Sequence, residues 1–306
     1  QQPVAQIKLG PGIVKLTKDL LVLPGQSLAI IAGTKIRLGK GVSILSWGPV
    51  NIMGQPDKKV TFKRLDPDNA WGGLALQGSG ASGSSLSYVT FEGGSKPDHP
   101  KINYSGMVSV HGSDNVSITN SYFADNVLSD DTLHIVNGHV TLKDLAFKNC
   151  FGDCIDFDYA SGNLDGLKIS DAGNDGLDFM NSEFKVTDFD IDNTNDKGIS
   201  VGESSTLKIA QGKIKKTNIG IAIKDASRLN ADGLKIYENE IAVDLYVKHK
   251  LYGRPGSLSV SNTKFKANEV NLRTEEGAEV EFLGQAIPPK VIGDGSVSVK
   301  KIKDSR

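Results

Sequence analysis

The chain has 306 residues, a net charge of −1, 34 glycines and only 7% aromatic residues. The balanced charge excludes general attraction to nucleic acid or anionic membranes, which needs a basic excess. No apolar run approaches the roughly 18 residues that a membrane-spanning helix requires.

The chain begins Gln1-Gln2-Pro3, with no Met and no leader, as a mature secreted form or a trimmed chain would. Residues 1–27 read as an N-terminal cap with the first strands, ending in the turn Pro24-Gly25, and at most a short capping helix is expected there. Short apolar-alternating strands then follow at 28–33, 34–38, 42–45, 50–53, 60–62, 71–76, 86–91 and 107–110, with Gly at most corners. A polar insertion at 93–106, carrying Lys96-Pro97-Asp98-His99-Pro100, interrupts them.

From Asp131 to Tyr246 the sequence repeats every 22 residues without a gap. Two columns are always apolar: Leu133, Ile155, Leu177, Ile199, Ile221, Val243, and Ile135, Phe157, Phe179, Val201, Ile223, Leu245. The column between them varies: His134, Asp156, Asp178, Ser200, Ala222, Asp244. A fixed period of this length marks a solenoid, and alternation at period two marks a strand with one buried face. The expected fold is all-β, a right-handed single-stranded parallel β-helix in one domain. Its coils span 28–285, a second insertion falls at 247–257, and a polar C-terminal cap or tail covers 286–306. Cys150 and Cys154 suit two structural thiols, or a local disulfide in an oxidising compartment.

The strands Gly152-Asp-Cys-Ile-Asp156, Asn174-Asp-Gly-Leu-Asp178, Asp196-Lys-Gly-Ile-Ser-Val-Gly202 and Gly220-Ile-Ala-Ile-Lys-Asp225, with Trp71-Gly-Gly-Leu74 before them, resemble right-handed parallel β-helix proteins of the pectin-lyase-like fold. Within that fold the chain is most similar to β-helix regions of bacterial proteins related to spore coat protein H. Gly152–Asp156 resembles the Asp-Asp-Cys strand of polygalacturonases, and Lys197–Gly202 their Gly-His-Gly strand, with Lys197 where the His would stand. Lys213-Ile-Lys215 is a weak echo of their Arg-Ile-Lys motif. Many members of the fold act on acidic polysaccharides outside the cytoplasm. The resemblance therefore implies a secreted or cell-surface protein, of bacterial origin, that acts on a polysaccharide or oligosaccharide.

The residues themselves suggest where. Parallel strands sit about 4.8 Å apart, so Asp131, Asp153 and Asp175 form a ladder at one turn with Lys197 on the next rung. Asp156 and Asp178 form a second ladder on the outer strand face, beside His134, with Asp158 two residues further along. Asp is disfavoured in strands, and stacked like charges resist joint ionisation. Asp156, Asp178, Asp153, Asp175, Lys197 and His134 are thus the catalytic candidates: paired carboxyls for hydrolysis, or Lys197 and His134 for β-elimination. Asp131, Asp153 and Asp175 could also hold Ca2+. The corner aspartates have a plainer reading as residues that tolerate left-handed backbone and bond their own turns. Asp158, Lys224, Tyr246, Lys248, His249, Tyr252 and Arg254 are the substrate-binding candidates, offering cations and an aromatic platform. The leading expectation is a glycoside hydrolase or polysaccharide lyase that needs no cofactor for hydrolysis. The alternatives are a non-catalytic glycan-binding or surface structural module, stabilised by calcium, and a scaffold domain of a larger protein.

Overall fold

A computed structural model of the protein describes residues 5–283, 291–293 and 298–301. The chain packs as two compact units: the first runs to Asp156 and takes in 160–162, and the second comprises 157–159 and everything from Asn163 onward. Both are built of strands. Two short 3-10 turns, Ser79–Ala81 and Lys250–Tyr252, are the only helical elements among the described residues. The first described strand, Ala5–Leu9, pairs in parallel with Gln26–Ile31, and the described residues 5–27 hold strands and no helix.

In the first unit three parallel ladders make the faces of the coils. One joins Ala5–Leu9, Gln26–Ile31, Val50–Met53, Ser85–Ser87, Val116–Ala124 and His139–Cys150. A second joins Gly12–Leu16, Thr34–Leu38, Val60–Arg64 and Val89–Glu92. The third joins Leu20–Val22, Ile44–Ser46, Leu74–Gln77, Gly106–His111 and Asp131–Val136. Register places Phe62, Phe91, Phe123 and Phe147 one above another. Their rings stack at centroid separations of 4.7, 5.2 and 4.6 Å in a fully dry core. Each such pair adds about 0.5–1.5 kcal/mol beyond the area it buries.

The insertion at 93–106 does not stand off in solvent. Its Ile102 and Tyr104 pack against Leu45, Ala75 and Trp47. Leu45 and Ala75 share the register of Ser109 and His134, so the insertion covers the outer side of the third ladder. Cys150 and Cys154 are joined by a disulfide with a Cα–Cα distance of 5.3 Å.

In the second unit the repeat read from the sequence is realised as register. Leu177, Ile199, Ile221 and Val243 align, as do Phe179, Val201, Ile223 and Leu245, and all are buried. Phe157 stacks on Phe179 at 4.6 Å and meets Phe184 at 4.3 Å. Corners at Asp188, Asn193, Gln211 and Lys216 adopt positive φ, which lets the long strands Glu183–Gly202 and Thr206–Lys224 turn without losing their ladder. Strands Leu272–Thr274, Glu279–Leu283, Val291–Gly293 and Ser298–Lys301 continue the pairing. The rest of the tail expected at 286–306 lies outside the described residues.

Candidate active site

The column between the two apolar rows is not the open outer face that alternation suggests. His134 is 8% exposed and Asp244 1%, and Ser200 and Ala222 are fully buried. An outward-pointing strand residue reaches solvent only if nothing lies over it, and here inserted segments and neighbouring side chains do.

In the first unit His134 sits at the centre of a polar cluster. Its Nδ1 lies 2.6 Å from Ser105 Oγ, 3.3 Å from His111 Nε2 and 3.8 Å from Asp131 Oδ2. Its Nε2 lies 3.6 Å from Asp156 Oδ2. Asp156 is the outer member, with its side chain 22% exposed. His111 meets the His134 ring edge-on at 5.0 Å and lies 5.0 Å from Tyr104, whose hydroxyl bonds Gln77 Oε1 at 2.9 Å. Burial pushes the Tyr104 hydroxyl up to about 12, so it stays protonated. A carboxyl and two imidazoles, all groups able to take or give a proton, thus stand in contact, while the Tyr104 hydroxyl is engaged with Gln77. Asp131, His134 and Asp156 could also hold a metal ion, with one ligand atom from each lying within 4.8 Å of the others.

Sequence reasoning found Asp131, His134 and Asp156 but missed Tyr104, Ser105, His111 and Gln77. His111 pairs in register with Val136, two residues beyond His134 and so on the same strand face. Tyr104 and Ser105 belong to the insertion, and no periodicity reports where an insertion folds. Asp153 is 7% exposed, its backbone N–H donating to the Asp130 carbonyl at 2.8 Å.

The second unit holds the remaining candidates. Asp175 is 2% exposed, its Oδ1 accepting the Lys197 backbone N–H at 2.9 Å and facing the Lys197 ammonium at 3.4 Å. Burial, with smaller contributions from Asp178 and Asp196, raises the Asp175 pKa to about 6 despite the pull of Lys197. Burial also opposes the Lys197 charge, but Asp175 and a close contact to Asp196 outweigh it, so its pKa lies above the ordinary value. Lys197 is therefore held as the charged counterion of Asp175 and Asp196. Asp178 is half-buried within electrostatic reach of Asp175 and Glu203. Tyr246 is half-buried in register with Lys224, and burial pushes its hydroxyl up to about 12. Asp244 is held by Arg273 at 2.9 and 2.5 Å.

The expected binding residues separate into two sets. Lys248, His249 and Arg254 are exposed, and Asp158 and Tyr252 half-exposed. Lys224, expected at a sugar-binding face, is 2% exposed. The insertion bearing Lys248 to Arg254 folds back: the Ala226 N–H donates to the Arg254 carbonyl at 3.0 Å, and Asp225 Oδ1 accepts the N–H groups of Lys248 and His249, both at 2.8 Å. A groove on another face of this unit is lined by Thr206, Lys208, Arg228, Asn230, Ser259 and Glu281 together with Leu207, Leu229, Leu258 and Val280. It offers cations and amides but no cluster for proton transfer.

Residues 131–286 match the family of right-handed β-helix regions, and the chain belongs to that family. No curated protein matches the sequence. Among solved structures it is similar to the Dettilon tailspike protein, at 12% identity and a TM-score of 0.63, over 94% of this chain and 62% of that one. It is also similar to the periplasmic alginate epimerase AlgG, at 14% identity and a TM-score of 0.56, over 90% of this chain and 79% of that one. The chain thus spans less than two thirds of the tailspike's length. At these identities the likeness concerns the fold, a pectin-lyase-like β-helix. The narrower likeness to regions related to spore coat protein H remains an expectation.

Proposed function

We propose that this β-helix cleaves glycosidic bonds of an extracytoplasmic, acidic polysaccharide, with Asp156 meeting the substrate and His134 positioning and tuning it. The observation that carries the reading is the chain of contacts from the partly exposed Asp156 through His134 to Ser105 and His111. With the Ser105 hydroxyl donating to Nδ1, His134 would present its Nε2 proton to Asp156 and hold that carboxylate ready as base or nucleophile. Carboxyl-based hydrolysis and β-elimination both need such a group. Two further facts support the setting. The Cys150–Cys154 disulfide suits an oxidising compartment, and one similar fold belongs to a periplasmic alginate epimerase.

The test is a panel of uronate polymers and neutral glycans, read for new reducing ends and for the ultraviolet absorbance of unsaturated uronate, with Ca2+ and with chelator. Asp156→Asn should lower turnover by ~10²–10⁴-fold with an unchanged melting temperature. Reducing ends alone would assign hydrolysis; added absorbance would assign elimination. Turnover unaffected by Asp156→Asn refutes the assignment. Binding without turnover across the panel would favour a second reading, a non-catalytic glycan-binding module, for which the groove of Thr206, Arg228 and Asn230 is the supporting observation.

A further inference from the structure

The second unit contains a polar cluster that the proposed chemistry does not use. Glu203 and Asp225 follow the same strand column in consecutive coils, 22 residues apart, at corners where both adopt positive φ. His249 arrives from the insertion. One ligand atom from each of Glu203, Asp225 and His249 lies within 4.8 Å of the others, and His249 Nε2 stands 3.2 Å from Glu203 Oε1.

Asp225 supplies the independent observation. It is fully buried, and its two oxygens are treated unequally. Oδ1 accepts the backbone N–H groups of Lys248 and His249, whereas Oδ2 is buried without any hydrogen-bond partner. An orphaned carboxylate oxygen in a dry site costs about 1–3 kcal/mol or more, so it calls for a positive partner. Lys224 and Lys248 are the cations within reach of Glu203, and they face three carboxylates, those of Glu203, Asp225 and Asp178. The balance is negative.

We infer that Glu203, Asp225 and His249 form a site for a divalent first-row transition cation, Zn2+ or Mn2+. Two carboxylate oxygens and one imidazole nitrogen match that class better than Ca2+, which prefers an all-oxygen shell. Ligands about 2.1 Å from such an ion stand about 3–4 Å from one another, so the cluster needs only a small contraction. The two N–H groups on Oδ1 fix the Asp225 carboxylate from behind and leave Oδ2 toward the ion, as outer-shell contacts do in metal centres. The ion would pin the Lys248–Arg254 segment to the coil corners and so order the cations and the Tyr252 ring that this segment presents.

The experiment titrates the tag-free, full chain with ZnCl2, MnCl2 and CaCl2 by calorimetry and thermal unfolding. One equivalent of Zn2+ or Mn2+ should bind, raise the melting temperature and slow proteolysis of the segment at 247–257. His249→Ala, at an exposed side chain, should weaken binding by at least ~10-fold while leaving the metal-free melting temperature unchanged; Glu203→Gln should act likewise. Absence of binding by any of the three salts overturns the inference. So does binding that survives both substitutions, or a response to Ca2+ alone. Neither variant touches Asp156 or His134, so failure here leaves the glycan-cleavage reading standing, and the reverse holds.

Discussion

Replacing Asp175 by Asn separates a structural carboxyl from a catalytic one. Asp175 has an ordinary value of 3.8 and a value of about 6 in the folded protein, because burial disfavours its charge more than Lys197 favours it. A group whose folded pKa is raised lends stability below its unfolded pKa and loses it as pH rises through the folded one. The window here is therefore about pH 4 to pH 6. Each tenfold change in an ionisation constant is worth about 1.4 kcal/mol, so ionising Asp175 costs the native state about 3 kcal/mol by pH 7. Asn keeps an oxygen for the Lys197 backbone N–H, and Lys197 keeps Asp196. Urea unfolding of the wild type and of Asp175→Asn at several pH values should show little difference near pH 4. The variant should gain about 3 kcal/mol relative to wild type by pH 7. A constant difference across that range, or a wild type that gains on the variant as pH rises, would refute the argument that desolvation outweighs the Lys197 ion pair.

Two other perturbations test the remaining frame. Arg273→Met leaves the buried Asp244 carboxylate without its partner; it should cost about 2–3 kcal/mol, below the range for a wholly buried pair because Arg273 is half-exposed. Adding Asp244→Asn should recover most of that loss in the same unfolding assay. Reduction of Cys150–Cys154 opens a loop of sequence separation 4, so chain entropy limits its cost to about 2 kcal/mol, measured as a shift in urea midpoint on adding dithiothreitol.

The sequence by itself determined the coil. Paired apolar residues at a 22-residue spacing can be satisfied only by stacking strands in register, and Leu177, Ile199, Ile221 and Val243 do so. It also marked His134, Asp156 and Asp131, since charged and titratable groups inside a strand repeat need a reason. Tertiary structure decided which of these groups meet. Alternation states which side of a strand a residue faces but not what lies over that side. Tyr104 and Ser105 reach His134 only because the 93–106 insertion folds onto Leu45 and Ala75, and His249 reaches Glu203 only because Asp225 gathers the backbone of the second insertion. Insertions carry no period, so their destination is fixed by long-range packing and by buried carboxylates seeking donors. That is why the solenoid and single members of each cluster were legible in the chain and the assembly of the clusters was not.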